Sequence, residues 1–243
     1  MTLFRASLRA RRRPLPVAAL ALTGALALSG CEVTDGPADT APGPAAAGSA
    51  LQASDGLPVK GRAPKTGYER GAFGSGWIDT DHNGCGTRDD ILAEQLDDVS
   101  RDADGCKVLR GVLDPEPYTG GRVTFQRGRS KIDIDHLVAL SDAWQKGAQK
   151  WSDAKRRAFA NDPLNLVAAD SSTNRSKGDG DTATWLPPNT AYRCTYVAGQ
   201  VAVKKKYGLW VTQAEKDAMT KVLKDCPDRK LPSGGTPTEA TTR

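Results

Sequence analysis

The stretch KIDIDHLVAL, residues 131–140, alternates polar and apolar side chains up to Asp135. It then places His136, one of only two histidines in the chain, directly behind two acids. Alternation with a period of two is the pattern of a strand with one buried face. A second segment, NLVAADSSTNRSKGD at 165–179, begins extended, continues through Ser and Thr cap residues and stops at Gly178. The two segments together supply Asp135, His136, Asn165, Asn174, Arg175 and Lys177.

Those residue types suit the hydrolysis of a phosphodiester. A base must take a proton from water near neutral pH, which is the range of histidine. A hard divalent cation must offset charge on the reacting phosphate, and Asp and Asn oxygens suit such an ion. Cationic side chains must hold the phosphate backbone.

Around these segments lie GCGTRDDIL (84–92), DPEPYTGGRVTF (114–125), IDHLVALSDAW (134–144), FANDPLNLVAAD (159–170), NRSKGDGDTATWLPP (174–188) and CTYVAGQVAVKKKYGL (194–209). With them the chain resembles the HNH endonucleases, and within these the exported bacterial proteins grouped with the C-terminal HNH domain of GmrSD restriction endonucleases. The likeness runs over about residues 67–226. The NRSKGD ending is also similar to that of the HNH domain in RNA-guided CRISPR nucleases.

The resemblance implies an α+β fold with a ββα-metal core embedded in surrounding helices. It implies His136 as the general base, Asn165 as the residue that pins the neighbouring loop, and Asp135 with Asn174 as ligands of one divalent metal, Mg²⁺ with Mn²⁺ as an alternative. Arg175 and Lys177 become candidate phosphate contacts, and Asp133 is left between a supporting role and an outward-facing strand position. Two departures from the family pattern are visible: Ala139 stands where a proline is usual, and Asn174 where many members have histidine. The implied partner is nucleic acid, DNA before RNA, cut with little or no sequence preference. A non-catalytic envelope lipoprotein using the same fold for binding is the alternative.

The chain ends set the compartment. LRARRRPLPVAALALTGALALSGC (8–31) has a basic head, a short apolar run and small residues, the layout of an export signal rather than a membrane span. Its last four residues resemble a lipobox, which would make Cys31 a lipidated N-terminus and the lipid the sole membrane anchor, at the outer face of the bacterial cell membrane; full secretion is the alternative. Without residues 1–30 the chain has 29 basic and 29 acidic residues. Whole-chain basicity is therefore no argument for nucleic acid. Charge is instead uneven: residues 31–121 hold 8 basic and 16 acidic side chains, and residues 122–177 hold 11 and 6.

Four cysteines remain, and an even number in an exported chain points to disulfides. The local pairs Cys85–Cys106 and Cys194–Cys226 are favoured; no C-x-x-C spacing supports zinc. Asp79, Asp81, Asn83, Gly84 and Asp90 fit several positions of a calcium loop, but Gly86 and Asp90 depart from it, so a structural turn tied by Cys85 is preferred. Arg88 is expected to pair with its acidic neighbours, with a phosphate clamp as the alternative.

Residues 31–66, rich in Ala, Gly and Pro, read as a flexible tether, 67–228 as the domain and 229–243 as a disordered tail. Residues 87–99 read as a helix with Ile91, Leu92, Leu96 and Val99 on one face; 123–128 and 130–137 read as strands. Helices are expected in 140–162, in 197–208 and after the cap Thr212. Trp144, Trp151 and Trp185 are expected in the core, and Lys204–Lys206 on a solvated helix face.

Overall fold

The computed structural model describes residues 47–233. The signal, Cys31, the first part of the tether and the end of the tail lie outside them. The architecture is α+β, with two small antiparallel sheets among seven described α-helices.

Residues 166–170 accept the alternating strand as their partner. β4 (Ile132–His136) and β5 (Leu166–Asp170) pair antiparallel, with His136 opposite Leu166 and Asp133 opposite Ala169. Asp170 then caps α5 (Ser171–Lys177), its side chain accepting from Thr173 N, and the helix ends at Gly178 with φ of 53°. This strand–strand–helix unit is buried on both sides. Ile132, Ile134, Leu166 and Ala168 pack with Ile91 and Leu92 of α2 (Thr87–Gln95). Val167 and Ala169 face Tyr118 and Val197 and Val201 of α6 (Arg193–Tyr207).

The helix expected over 87–99 stops at Gln95. Leu96 turns extended and drops into the core beside Gly111, where a Cβ would lie 2.9 Å from the Leu96 side chain. Residues Asp97–Arg101 then form β1, which pairs through an irregular register with β2 (Val108–Leu113). β3 (Val123–Gln126) completes that sheet, so the strands at 123–126 and 132–136 are consecutive in sequence but belong to different sheets. The helical stretch before Pro163 breaks into α3 (Leu140–Gln145), a short 3-10 turn at 148–150 and α4 (Asp153–Ala160). α7 (Gln213–Lys224) is capped by Thr212 as expected. Both disulfides form as favoured, Cys85–Cys106 and Cys194–Cys226.

The tether ends earlier than composition suggested. α1 (Ala50–Asp55) is capped by Ser49, and Leu51 and Leu57 pack with Met219 and Leu223 of α7. Val59 bridges Val211, and Arg62 reaches Asp142 and Asp181, so the segment joins the fold through backbone pairing and charge as well as these apolar anchors. The tail also begins later, since Lys230 bridges Ser49 and Leu231 packs on the same core.

One polar feature organises the helical half. Lys146 Nζ lies 2.7 Å from Asp142, 2.8 Å from Asp181 and 2.5 Å from Glu215. Lys204 Nζ lies 3.1 Å from Asp142 and 2.9 Å from Glu215. Arg62 reaches Asp142 at 2.9 Å and Asp181 at 2.6 Å from the rim. Lys204 therefore does not share the solvated face expected of its lysine run: its ammonium is fully buried, while Lys205 and Lys206 remain exposed. The surrounding carboxylates raise the Lys204 pKa above its usual value despite burial.

Candidate active site

The site grows from the end of β4. Because strand side chains alternate, Asp133 and Asp135 project to one side and His136 to the other. The His136 ring is buried and places Nε2 2.9 Å from the carbonyl oxygen of Ala160 at the end of α4. A carbonyl can only accept, so Nε2 carries the proton and Nδ1 keeps the lone pair. Burial lowers the His136 pKa to about 4, and the positive charges of Arg70 and Lys177 act in the same direction. At neutral pH the imidazole is uncharged.

Trp77 lies parallel to the imidazole, with ring centroids 5.8 Å apart. Its neighbour Ile78 fixes it: Ile78 N donates to Asn161 Oδ1 at 3.1 Å, and Ile78 O accepts from Thr87 N at 3.0 Å. A cavity of about 140 Å³ opens beside the imidazole, lined by Arg70, Trp77, His136, Leu140 and Ala160 among others. It has room for several waters or a phosphate group.

Asn165 clamps the chain just after the histidine. Its backbone oxygen accepts from Leu137 N at 2.8 Å, and its side chain accepts from Val138 N at 2.9 Å and donates back to Val138 O at 3.4 Å. Ala139 holds φ at −56°, within the range a proline ring would impose, so its backbone conformation is one a proline could also adopt.

On the other side of β4 the carboxylates find separate partners. Asp133 accepts from Asn174 Nδ2 at 3.2 Å. Asp135 accepts from the Tyr118 hydroxyl at 2.5 Å, and Lys177 Nζ lies 3.0 Å from its Oδ1 and 2.9 Å from its Oδ2. Lys177 also donates to the His136 carbonyl at 2.8 Å. Asp135 and Asn174 thus share a side but make no hydrogen bond to each other. Lys177, expected at a phosphate, instead points inward and neutralises Asp135, because the last turn of α5 runs back over the end of β4. Arg175 is exposed on the same helix.

The donors fit a divalent ion in kind. Two carboxylates and an amide are hard oxygen ligands, whereas the four described cysteines are consumed in disulfides and offer no thiolate. Asp135 already holds a positive charge from Lys177, which leaves Asp133 and Asn174 as the pair open toward solvent.

Several contributors were not singled out as site residues. Trp77 and Arg70 lie outside every quoted stretch; Tyr118 falls in DPEPYTGGRVTF, where nothing marks it as a partner of Asp135, and the Ala160 contact is made by a backbone oxygen. Arg88 also departs from expectation. Asp89 is committed to Arg127 and to Val108 N, and Asp90 to Asn83, so Arg88 pairs with neither. The Asp79–Asp90 loop satisfies itself: Asp79 accepts from Asn83 N and Gly84 N, and Asn83 Nδ2 donates to Asp81 and Asp90. Trp144, Trp151 and Trp185 pack against the core as expected.

Residues 86–222 match the family described as GmrSD restriction endonucleases, C-terminal domain. A protein of Arthroderma benhamiae, described as an uncharacterized secreted protein, is 38% identical over 195 residues, covering 79% of this chain and 92% of the relative. With the strand–strand–helix unit, the pinned histidine and the match over most of the folded region, the chain belongs to the GmrSD restriction endonuclease C-terminal domain family.

Proposed function

We propose that the protein is an exported, metal-dependent HNH endonuclease that hydrolyses phosphodiester bonds in DNA with little sequence preference. The observation that carries this reading is the state of His136: neutral, oriented through Nε2 by the Ala160 carbonyl, and left with Nδ1 free to accept a proton from water. Asn165 holds the following backbone, so the ring keeps that aim. Asn174 with the β4 carboxylates Asp135 and Asp133 would hold one divalent ion, Mg²⁺ or Mn²⁺. That ion would supply positive charge to the phosphate and leaving oxygen. Lys177 and Tyr118 hold Asp135 in its rotamer, and the exposed Arg175 would meet the nucleic-acid backbone.

Export is supported by the two disulfides and by the signal-like residues 1–30. A lipid on Cys31 would tether the domain at the outer face of the cell membrane.

The test is cleavage of plasmid DNA by the purified protein with Mg²⁺ or Mn²⁺. The parent is expected to nick, and His136→Ala to lower the rate by about 10²–10⁴-fold, the usual contribution of a positioned base. Absence of nicking by the parent with either metal would remove the reading and favour a binding role for the same fold. Equal nicking by His136→Ala would remove His136 from the chemistry.

A further inference from the structure

Arg70 opens the 3-10 turn Arg70–Phe73 and lines the cavity of about 140 Å³ that His136 also lines. The residue is exposed, and its guanidinium makes no hydrogen bond and no ion pair among the described residues. Its five N–H donors are therefore available to a ligand. The turn that carries it is fixed from behind. Phe73 is buried and packs on Phe159 with ring centroids 6.0 Å apart, and Ala72 O accepts from Arg156 Nε at 2.9 Å. A free side chain thus stands on an anchored piece of backbone.

The cavity itself suits an anion. Phe73, Trp77 and Leu140 give it apolar walls, and no carboxylate is among its described lining residues. The one carbonyl that points at the imidazole, that of Ala160, is already taken by His136 Nε2. Gly74 and Gly76, with φ of 98° and 86°, add backbone without side chains to the same wall. Between apolar walls a guanidinium attracts an anion more strongly than it does in open water. Asp133 and Asp135 project from the other side of β4. Within the cavity the positive charge therefore comes from Arg70, the one charged residue at neutral pH among those described as lining it.

We infer that Arg70 is a catalytic residue on the histidine side of the site, its guanidinium holding the non-bridging oxygens of the phosphate that water attacks at His136. The inference rests on the nuclease reading. In that step water loses a proton to His136 and bonds phosphorus. The bond from phosphorus to the leaving oxygen breaks, and that oxygen takes up a proton from solvent. Negative charge gathers meanwhile on the non-bridging oxygens, where a fixed cation lowers the barrier. A planar guanidinium suits this task because two parallel N–H groups match two oxygens, and a lysine does not reproduce that geometry.

The experiment follows cleavage of a DNA duplex of fixed length by the full protein, with initial rates taken over a range of DNA concentrations in Mg²⁺ and in Mn²⁺. Arg70→Met is expected to lower kcat about 10²-fold, the usual effect of removing one group that stabilises the reacting oxygens. Its melting temperature should stay at the parent value, because the side chain it replaces is exposed and unbonded. Arg70→Lys should recover part of the rate, since the charge returns without the fork. A rise in KM with kcat unchanged would put Arg70 on a neighbouring phosphate and overturn the assignment. Unchanged kinetics would overturn it too. A fall in kcat that comes with a fall in melting temperature, both restored by Arg70→Lys, would make the arginine structural and likewise overturn it. In each of these cases a parent that cuts DNA leaves the nuclease reading intact, whereas a parent that cuts with neither metal overturns both.

Discussion

Six charged groups meet between α3, α6, α7 and the segments beside them, and a second polar set meets at the end of β4, but only the first set is closed. In the helical hub three cations, Arg62, Lys146 and Lys204, face three carboxylates, Asp142, Asp181 and Glu215, and each charge meets at least two of the opposite sign. At the site, Asp135 is matched by Lys177, but His136 keeps a ring nitrogen with no hydrogen bond among the described residues and Asp133 has only an amide. A cluster whose charges are all matched acts on the fold. One that leaves acceptors unmet bears a stability cost that a substrate can offset.

The largest expected effect comes from breaking the closed cluster at its centre. Lys146→Met removes the ammonium that joins all three carboxylates and leaves a buried excess of negative charge. Such a break costs about 3–5 kcal/mol, read as a fall in the urea midpoint of unfolding. Adding Glu215→Leu to the same chain should recover part of the loss, because it removes an uncompensated acid. If the single variant unfolds at the parent midpoint, the hub is not what binds the helices together.

Acid separates the two clusters by pH. In the unfolded chain His136 titrates near 6.5, and in the fold near 4. Below 6.5 the unfolded state takes up a proton that the folded state refuses, so stability present at pH 7 drains away as the pH falls from 6.5 to 4. The size is about 3 kcal/mol. The hub acids Asp142 and Asp181 are held below their usual 3.8 by the lysines around them, so their contribution is lost only at lower pH still. Unfolding midpoints measured between pH 7 and 4, with chelator present, should therefore fall for the parent and fall less for His136→Phe. Equal slopes would mean that the ring is not buried uncharged.

Burial and partnership also explain what was legible in the chain. His136, Asn165 and Asn174 were readable because each of the two segments carries its own pattern, alternation in 131–136 and an extended run followed by caps and a glycine in 165–178, although two helices separate the strands. The hub was not readable. Its members come from five separated segments, and Lys204 sits in a lysine run whose plain reading is solvent. β1 was hidden because Leu96 and Val99 continue the helical spacing of α2; the decision was made by Gly111, which lets Leu96 enter the core. The folding of residues 47–66 was masked by their small side chains. At the site, the partners of His136 and Asp135 were invisible for a different reason. One is a backbone oxygen, and Tyr118 looks like any core aromatic until its hydroxyl is placed.

Tyr118 permits a sharper cut at the site. Its ring packs edge-on to Trp185 and Tyr196, while its hydroxyl bonds Asp135. Tyr118→Phe keeps the packing and removes the bond, for an expected loss of about 1–2 kcal/mol in the same unfolding assay. Lys177 remains on Asp135, so the carboxylate keeps its charge partner. A loss as large as that of Lys146→Met would show that the site cluster is as closed as the hub.

The smallest effect should come from the edge of the hub. The Arg62 side chain is one-third exposed, while its partners Asp142 and Asp181 are almost fully buried. Water screens the arginine and can replace it in part, so Arg62→Ala should cost only about 1 kcal/mol despite breaking two ion pairs. The carboxylates it leaves keep Lys146, and Asp142 keeps Lys204 as well. The same variant tests whether residues 47–66 are held by charge or by packing. Leu51 and Leu57 remain on α7 when the arginine is gone, so protease resistance of this segment should survive in Arg62→Ala and fail in Leu51→Ala. The opposite order would move the fastening of the segment from its apolar anchors to the hub, and would make the rim as essential as the centre.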